Sequence, residues 1–160
     1  MITANEKGEI KDSLGKTVLK QRGKLEFQKV YTAIREWFNA NNYDTTEKDY
    51  TQTIRPHGDE YKLRIIGDKD VNSYVNFNIE INVFAPEIKK DTGNMRMSIE
   101  PSLILDYRGY FDKNKFTRFL KYVYNNYIIY RKIKTYYEAK VYIEYLDLCT
   151  KIKEAMNQYD

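Results

Sequence analysis

Between residues 72 and 84 the chain reads NSYVNFNIEINVF, in which Val75, Phe77, Ile79, Ile81 and Val83 alternate with Asn76, Asn78, Glu80 and Asn82. Five matches to a period of two put the apolar set on one face of an extended strand and the polar set on the other. The β-branched and aromatic residues suit a pleated, half-buried surface. One face is therefore expected to meet a core and the other water, as in an antiparallel sheet covered on one side. Shorter runs at 49–55 and 60–66, joined by Pro56-His57-Gly58-Asp59, predict two preceding strands, and residues 95–107 predict the return strand after a polar hairpin loop at 85–94. Pro101 interrupts the apolar face of that return strand, and since proline cannot donate to a ladder, a bulge or an edge position is expected there.

The period changes to that of a helix on both sides of the strands. Phe27, Val30, Tyr31, Ile34, Trp37 and Phe38 predict a helix over 25–40 that ends in the poor helix formers Asn39, Asn41 and Asn42. Residues 114–133 carry Phe116, Phe119, Leu120, Val123, Tyr124, Tyr127 and Tyr130 at helical spacing, predicting a second helix with one apolar face. A final helix over 135–157 is apolar twice: Tyr137, Val141, Tyr145, Leu148, Ile152 and Met156 form one face, while Tyr136, Ala139, Ile143 and Leu146 lie roughly opposite. The expected fold is α+β, with an N-terminal helix, a four-stranded antiparallel meander over 49–107 and two C-terminal helices packed on one sheet face. Residues 1–160 form one domain in this reading, with 1–13 polar and frayed and a short edge strand near 17–20.

Composition narrows the setting. A chain of 160 residues with 42% hydrophobic content and 16 Tyr can build a core, and no apolar run approaches a transmembrane helix. Residues 1–10 are charged and lack the apolar stretch of a secretory signal, and Cys149 is the only cysteine. Both point to the cytoplasm. The charge is uneven: residues 108–135 hold eight Lys or Arg against one acid, whereas the net for the whole chain is +4. Lys115, Arg118, Lys121, Arg131 and Lys132 form a basic stripe on the penultimate helix, with Tyr122 and Ile129 among them. Acids that would relieve repulsion at i, i+4 are absent between Asp112 and Glu138, so the stripe is a candidate surface for phosphates or an acidic protein.

Catalytic signals are weak. Gly15-Lys16-Thr17 resembles the end of a phosphate loop, but that pattern needs a glycine at position 10, which is Ile. His57, the one histidine, sits in a turn sequence, and Glu47, Asp49 and Asp106 are not spaced as an acid/base pair. No cofactor or metal motif stands out.

The succession of Trp37-Phe38, Asn41-Asn42-Tyr43, Glu47-Lys48-Asp49-Tyr50, Tyr74-Val75-Asn76-Phe77, Leu105-Asp106-Tyr107 and Tyr124-Asn125-Asn126-Tyr127 resembles a group of small uncharacterised archaeal proteins with a W-F, Y-x-x-x-E-K-x-Y and D-Y pattern. The likeness spans about residues 25–156 and implies an archaeal cytoplasmic protein but no activity. The expected function is a non-catalytic interaction module that binds a protein or nucleic-acid partner through the basic helix, with Tyr136, Ile143 and Leu146 as an oligomer or docking face. The alternative is a small-ligand binder with a pocket between sheet and C-terminal helices, lined by Phe77, Met95, Met97 and the tyrosines of the penultimate helix, as in helix-grip folds.

Overall fold

A computed structural model describes residues 2–4, 10–72, 74–90, 92–105, 115–123 and 136–156. Its elements are β1 (Ile2–Ala4), β2 (Ile10–Ser13), β3 (Thr17–Lys24), α1 (Phe27–Ala40), β4 (Asp44–Thr53), β5 (Asp59–Asp70), β6 (Val75–Ile88), β7 (Thr92–Leu105), α2 (Lys115–Val123) and α3 (Glu138–Ala155). All seven strands join one antiparallel sheet in the order β1-β2-β7-β6-β5-β4, with β3 also on β7.

The expected four-stranded meander with two C-terminal helices on it is thereby corrected. The chain before α1 contributes strands of its own, and β3 pairs with β7 over eight residues, from Thr17 opposite Ile99 to Lys24 opposite Thr92. Its first half was expected as a short edge strand near 17–20, and its polarity hid the rest, since Leu19 is its only buried residue. Residues 10–13, read as frayed, pair with 102–105 further along the same strand. Of the two C-terminal helices, α3 packs on β7 and α1, whereas α2 holds Phe116, Phe119 and Leu120 exposed in place of the expected buried face.

β2 and β3 behave as one strand interrupted opposite Pro101. Ser13 faces Ser102 and Thr17 faces Ile99, so the β2–β3 side carries one extra residue between these pairs. The Leu14 N–H donates to the Pro101 carbonyl at 3.0 Å, so Pro101 turns its nitrogen toward this bulge, where no acceptor has to be matched. Gly15 adopts φ +119 within it.

α1 and α3 cover the face formed by Leu63, Ile65, Ile79, Ile81, Val83, Met97, Ile99 and Leu103, all buried. Phe38 sets the seat of α1. A Cβ on Gly67 would lie 2.4 Å from the Phe38 ring, so the ring occupies the place where any other residue of β5 would carry its side chain. The helix stops there for a local reason. Asn42 takes the left-handed conformation (φ 63), its N–H bonds the Asn39 carbonyl, and the Tyr43 N–H bonds the Phe38 carbonyl at 2.9 Å. This is a Schellman end, with the Tyr43 and Phe38 rings in the accompanying apolar contact at 5.5 Å.

The outer face departs from expectation at one end. Asn82 is exposed as the alternation predicts, but Asn76 and Asn78 are only 5% and 7% exposed, and Ser102 beside them 1%. These amides are paired across the strands: Asn76 Nδ2 donates to Asp70 Oδ1 at 2.9 Å and Asn78 Nδ2 to Asp68 Oδ1 at 2.7 Å.

Two outcomes are expected from this packing. Gly67→Ala should cost about 1–3 kcal/mol by displacing Phe38, read as a lowered denaturant midpoint with an unchanged slope. Asn78→Ala should cost about 1–3 kcal/mol because it leaves the Asp68 carboxylate without its partner, whereas Asn82→Ala should stay within about 0.5 kcal/mol. Equal losses at the two asparagines would refute the division of the outer face.

Candidate interaction surfaces

The corner where α1, α3 and β5 meet concentrates the partly buried polar groups. Trp37 Nε1 donates to Asp147 Oδ2 at 2.7 Å, and Tyr43 donates its hydroxyl to Glu144 Oε2 at 2.5 Å. Lys69 reaches Glu144 Oε1 at 2.7 Å and lies 4.7 Å from the Tyr43 ring centroid. Burial first, then the bond to Glu144, pushes the Tyr43 hydroxyl far above its ordinary value, so it stays a donor. The cluster ties the two helices to the sheet. Both Glu144 oxygens are engaged within it.

Of the carboxylates considered as an enzymatic set, Glu47 and Asp49 both lie on β4. Glu47 accepts from the Tyr31 hydroxyl and pairs with Arg35 at 3.1 Å. Asp49 stands at the β4 irregularity with φ 55, and Asp106 lies outside the described residues. Burial pushes the Cys149 thiol up, against the opposing pull of Tyr145 and Lys153, which disfavours a reactive thiolate. Among the described residues no three His, Cys, Asp or Glu side chains gather as metal ligands.

Of the residues expected to line a ligand pocket, Phe77, Met95 and Met97 are described, and the tyrosines Tyr124, Tyr127 and Tyr130 of the penultimate helix lie outside the described residues. Phe77, Met95 and Met97 are fully buried members of the core. Two concavities are bordered by described residues. One of about 730 Å³ runs beside the start of α1 and is bordered by Lys29, Arg55, His57, Tyr61 and Lys90, which places His57 exposed on its rim. A second, of about 530 Å³, lies on the outer sheet face around Lys62, Phe84 and Arg96.

Of the basic stripe, Lys115 and Tyr122 are exposed on α2, and Arg118 and Lys121 fall within the same helix. Ile129, Arg131 and Lys132 lie outside the described residues. The other candidate face is brought together: Tyr136, Ile143 and Leu146 are exposed on the side of α3 away from the sheet, joined by Tyr142. Sequence reasoning missed the outer-face depression, although the exposed pair of Lys62 and Phe84 follows from strand parity once the register is known.

Charge on the outer face is organised around Glu80. Arg64 Nε stands 2.9 Å from its Oε1, Asn82 donates to the same oxygen at 3.2 Å, and Glu100 lies directly opposite in register. Burial alone would raise the Glu80 carboxyl, but the bonds from Arg64 and Asn82 and the charges of Arg64 and Lys11 outweigh it and hold the group below its ordinary 4.5. A lowered carboxylate stabilises the fold above its unfolded value, and that contribution is lost as pH falls through the folded one. Glu80→Gln is therefore expected to flatten the fall in melting temperature below about pH 4.5. An identical acid limb in wild type and Glu80→Gln would contradict the assignment.

No protein-family model matches the chain, and no curated protein matches it. Among solved structures it is similar to a Staphylococcus aureus protein of unknown function, at 12% identity and a TM-score of 0.32 over 92% of this chain and 95% of that one. That likeness is too loose to bear on function. No helix among the described residues is long and apolar enough to cross a membrane.

Proposed function

We propose that the protein is a non-catalytic interaction module that docks through the outward side of α3, and that the partner is a second copy of the same chain. The observation that carries this reading is the exposure of Ile143 (67%) and Leu146 (46%) on a helix whose other side, Val141, Leu148 and Ile152, is sealed in the core. A helix apolar on two sides is usually covered on both.

Magnitudes favour a partner with apolar surface of its own. Burying the exposed half or so of Tyr136, Tyr142, Ile143 and Leu146 would yield roughly 3–6 kcal/mol, which reaches only the lower part of an association cost of about 4–15 kcal/mol. A second copy doubles the apolar area by supplying the same stripe.

Light scattering over a range of protein concentrations tests this. The wild type is expected to move from monomer to dimer as concentration rises, and Ile143→Glu with Leu146→Glu to remain monomeric with its melting temperature at low concentration preserved. A wild type that stays monomeric at the highest soluble concentration would overturn the reading.

A further inference from the structure

The outer face of the sheet is closed at one end and open at the other. Asn76, Asn78 and Ser102 are buried at the closed end, while Phe84 remains 41% exposed and Val18 39% exposed at the open one. Phe84 belongs to β6, which has a strand on either side, so a large apolar ring stands at the centre of a solvent-facing sheet surface rather than at its edge.

Register puts cations around that ring. Lys62 is opposite Phe84 on β5, Arg96 is opposite Phe84 on β7, and Lys20 is opposite Arg96 on β3. At about 4.8 Å between strands, this row of Lys62, Phe84, Arg96 and Lys20 extends roughly 14 Å across the sheet. The Lys62 ammonium lies 5.6 Å from the Phe84 ring centroid. The next row adds Arg64, and Lys16 joins the same depression of about 530 Å³, whose lining holds four cations against a single acid, Asp49. Lys62 and Arg64 have carboxylate partners in Glu60 and Glu80, whereas Lys16 and Arg96 make no ion pair among the described residues.

We propose that this depression binds single-stranded nucleic acid, with a base stacked on Phe84 and the flanking phosphates on Arg96, Lys16 and Lys62. The chemistry requires both parts. Cations alone would serve any polyanion, but an exposed ring bracketed by cations on its two neighbouring strands matches a ligand that alternates planar faces with charges. A duplex keeps its base faces stacked inside, and an acidic peptide has charges without planar faces, so neither uses Phe84. The site is on the opposite side of the sheet from α3 and does not depend on the docking reading above.

The test is a fluorescence titration of the purified protein with labelled single strands of DNA and of RNA, about a dozen nucleotides long and of mixed sequence, at several salt concentrations. Binding is expected to weaken linearly in log salt with a slope near −2, about −0.7 for each of three phosphates. Phe84→Leu should weaken it by roughly fivefold to a hundredfold, and Arg96→Gln with Lys16→Gln should flatten the slope to about −0.7. All three side chains are exposed, so melting temperatures should hold, and the cation variant keeps the test decisive if Phe84→Leu proves unstable. Binding of either strand supports the proposal, the tighter one identifying the preferred sugar. The proposal is overturned by no binding at low salt, by affinity unchanged in both variants, by equal affinity for a duplex of the same sequence, or by poly-glutamate displacing the strand at matched charge.

Discussion

The insertion of Phe38 into the space that Gly67 leaves empty is the contact on which the rest of the structure depends. With Phe38 wholly buried, α1 cannot slide along or rotate above β5 without driving the ring into backbone. Fixing α1 fixes where it ends, and the Schellman turn at Asn42 delivers Tyr43 to Glu144 and Lys69. One turn earlier, Trp37 faces Asp147. Two residues of α3 three positions apart are thus held by two residues from α1 and its exit, which sets both the height and the rotation of α3 on the sheet. The outward aim of Ile143 and Leu146 is a consequence of that rotation rather than an independent feature.

The sheet shows how a strand pattern of period two can carry two kinds of polar face. At one end the outward asparagines bond to the aspartates opposite them, which allows Asn76 and Asn78 to be buried without losing their donors. In the middle, Arg64 and Asn82 gather on Glu80 and offset its proximity to Glu100. Beyond them, carboxylates thin out and the cations Lys16 and Arg96 stand beside Phe84. The gradient runs along β6, from paired amides through a compensated charge cluster to uncompensated cations, and it parallels the change from buried to open surface.

Legibility followed apolar alternation. The inward set of β6 and the core-facing positions of α1 and α3 were readable because Val75 to Val83, Val30 to Phe38 and Val141 to Ile152 repeat at the period of their own element. The second half of β3 and the first half of β4 were not, since their strand character comes from pairing with β7 and β5 while their side chains are largely polar and exposed. Residues 85–94 read as a loop because Pro86, Lys89 and Lys90 are poor strand formers, yet β6 continues to Ile88 and β7 begins at Thr92. The local register shift between Phe84 and Glu87 absorbs the proline. The double apolar character of α3 was visible as two stripes on one helix, whereas the row of Lys62, Phe84, Arg96 and Lys20 draws one residue from each of four strands. No linear spacing reveals such a row, because it exists only once the register is set.

The two candidate surfaces are separated by the core itself. α3 lies on the covered face of the sheet and turns its second stripe away from it, while Phe84 points out of the opposite face. Pairing of two copies through α3 would therefore leave both Phe84 depressions uncovered and facing outward. A strand long enough to reach both would then meet the second at an effective concentration set by its own length, so avidity could exceed the affinity of a single shallow depression by orders of magnitude. The same geometry makes each surface separately removable. Charges placed at Ile143 and Leu146 act across the thickness of the domain from Phe84, beyond the distance at which substitutions couple appreciably, so loss of pairing and loss of the depression should combine additively in stability. Only binding to a strand that spans two copies would fall by more than the sum.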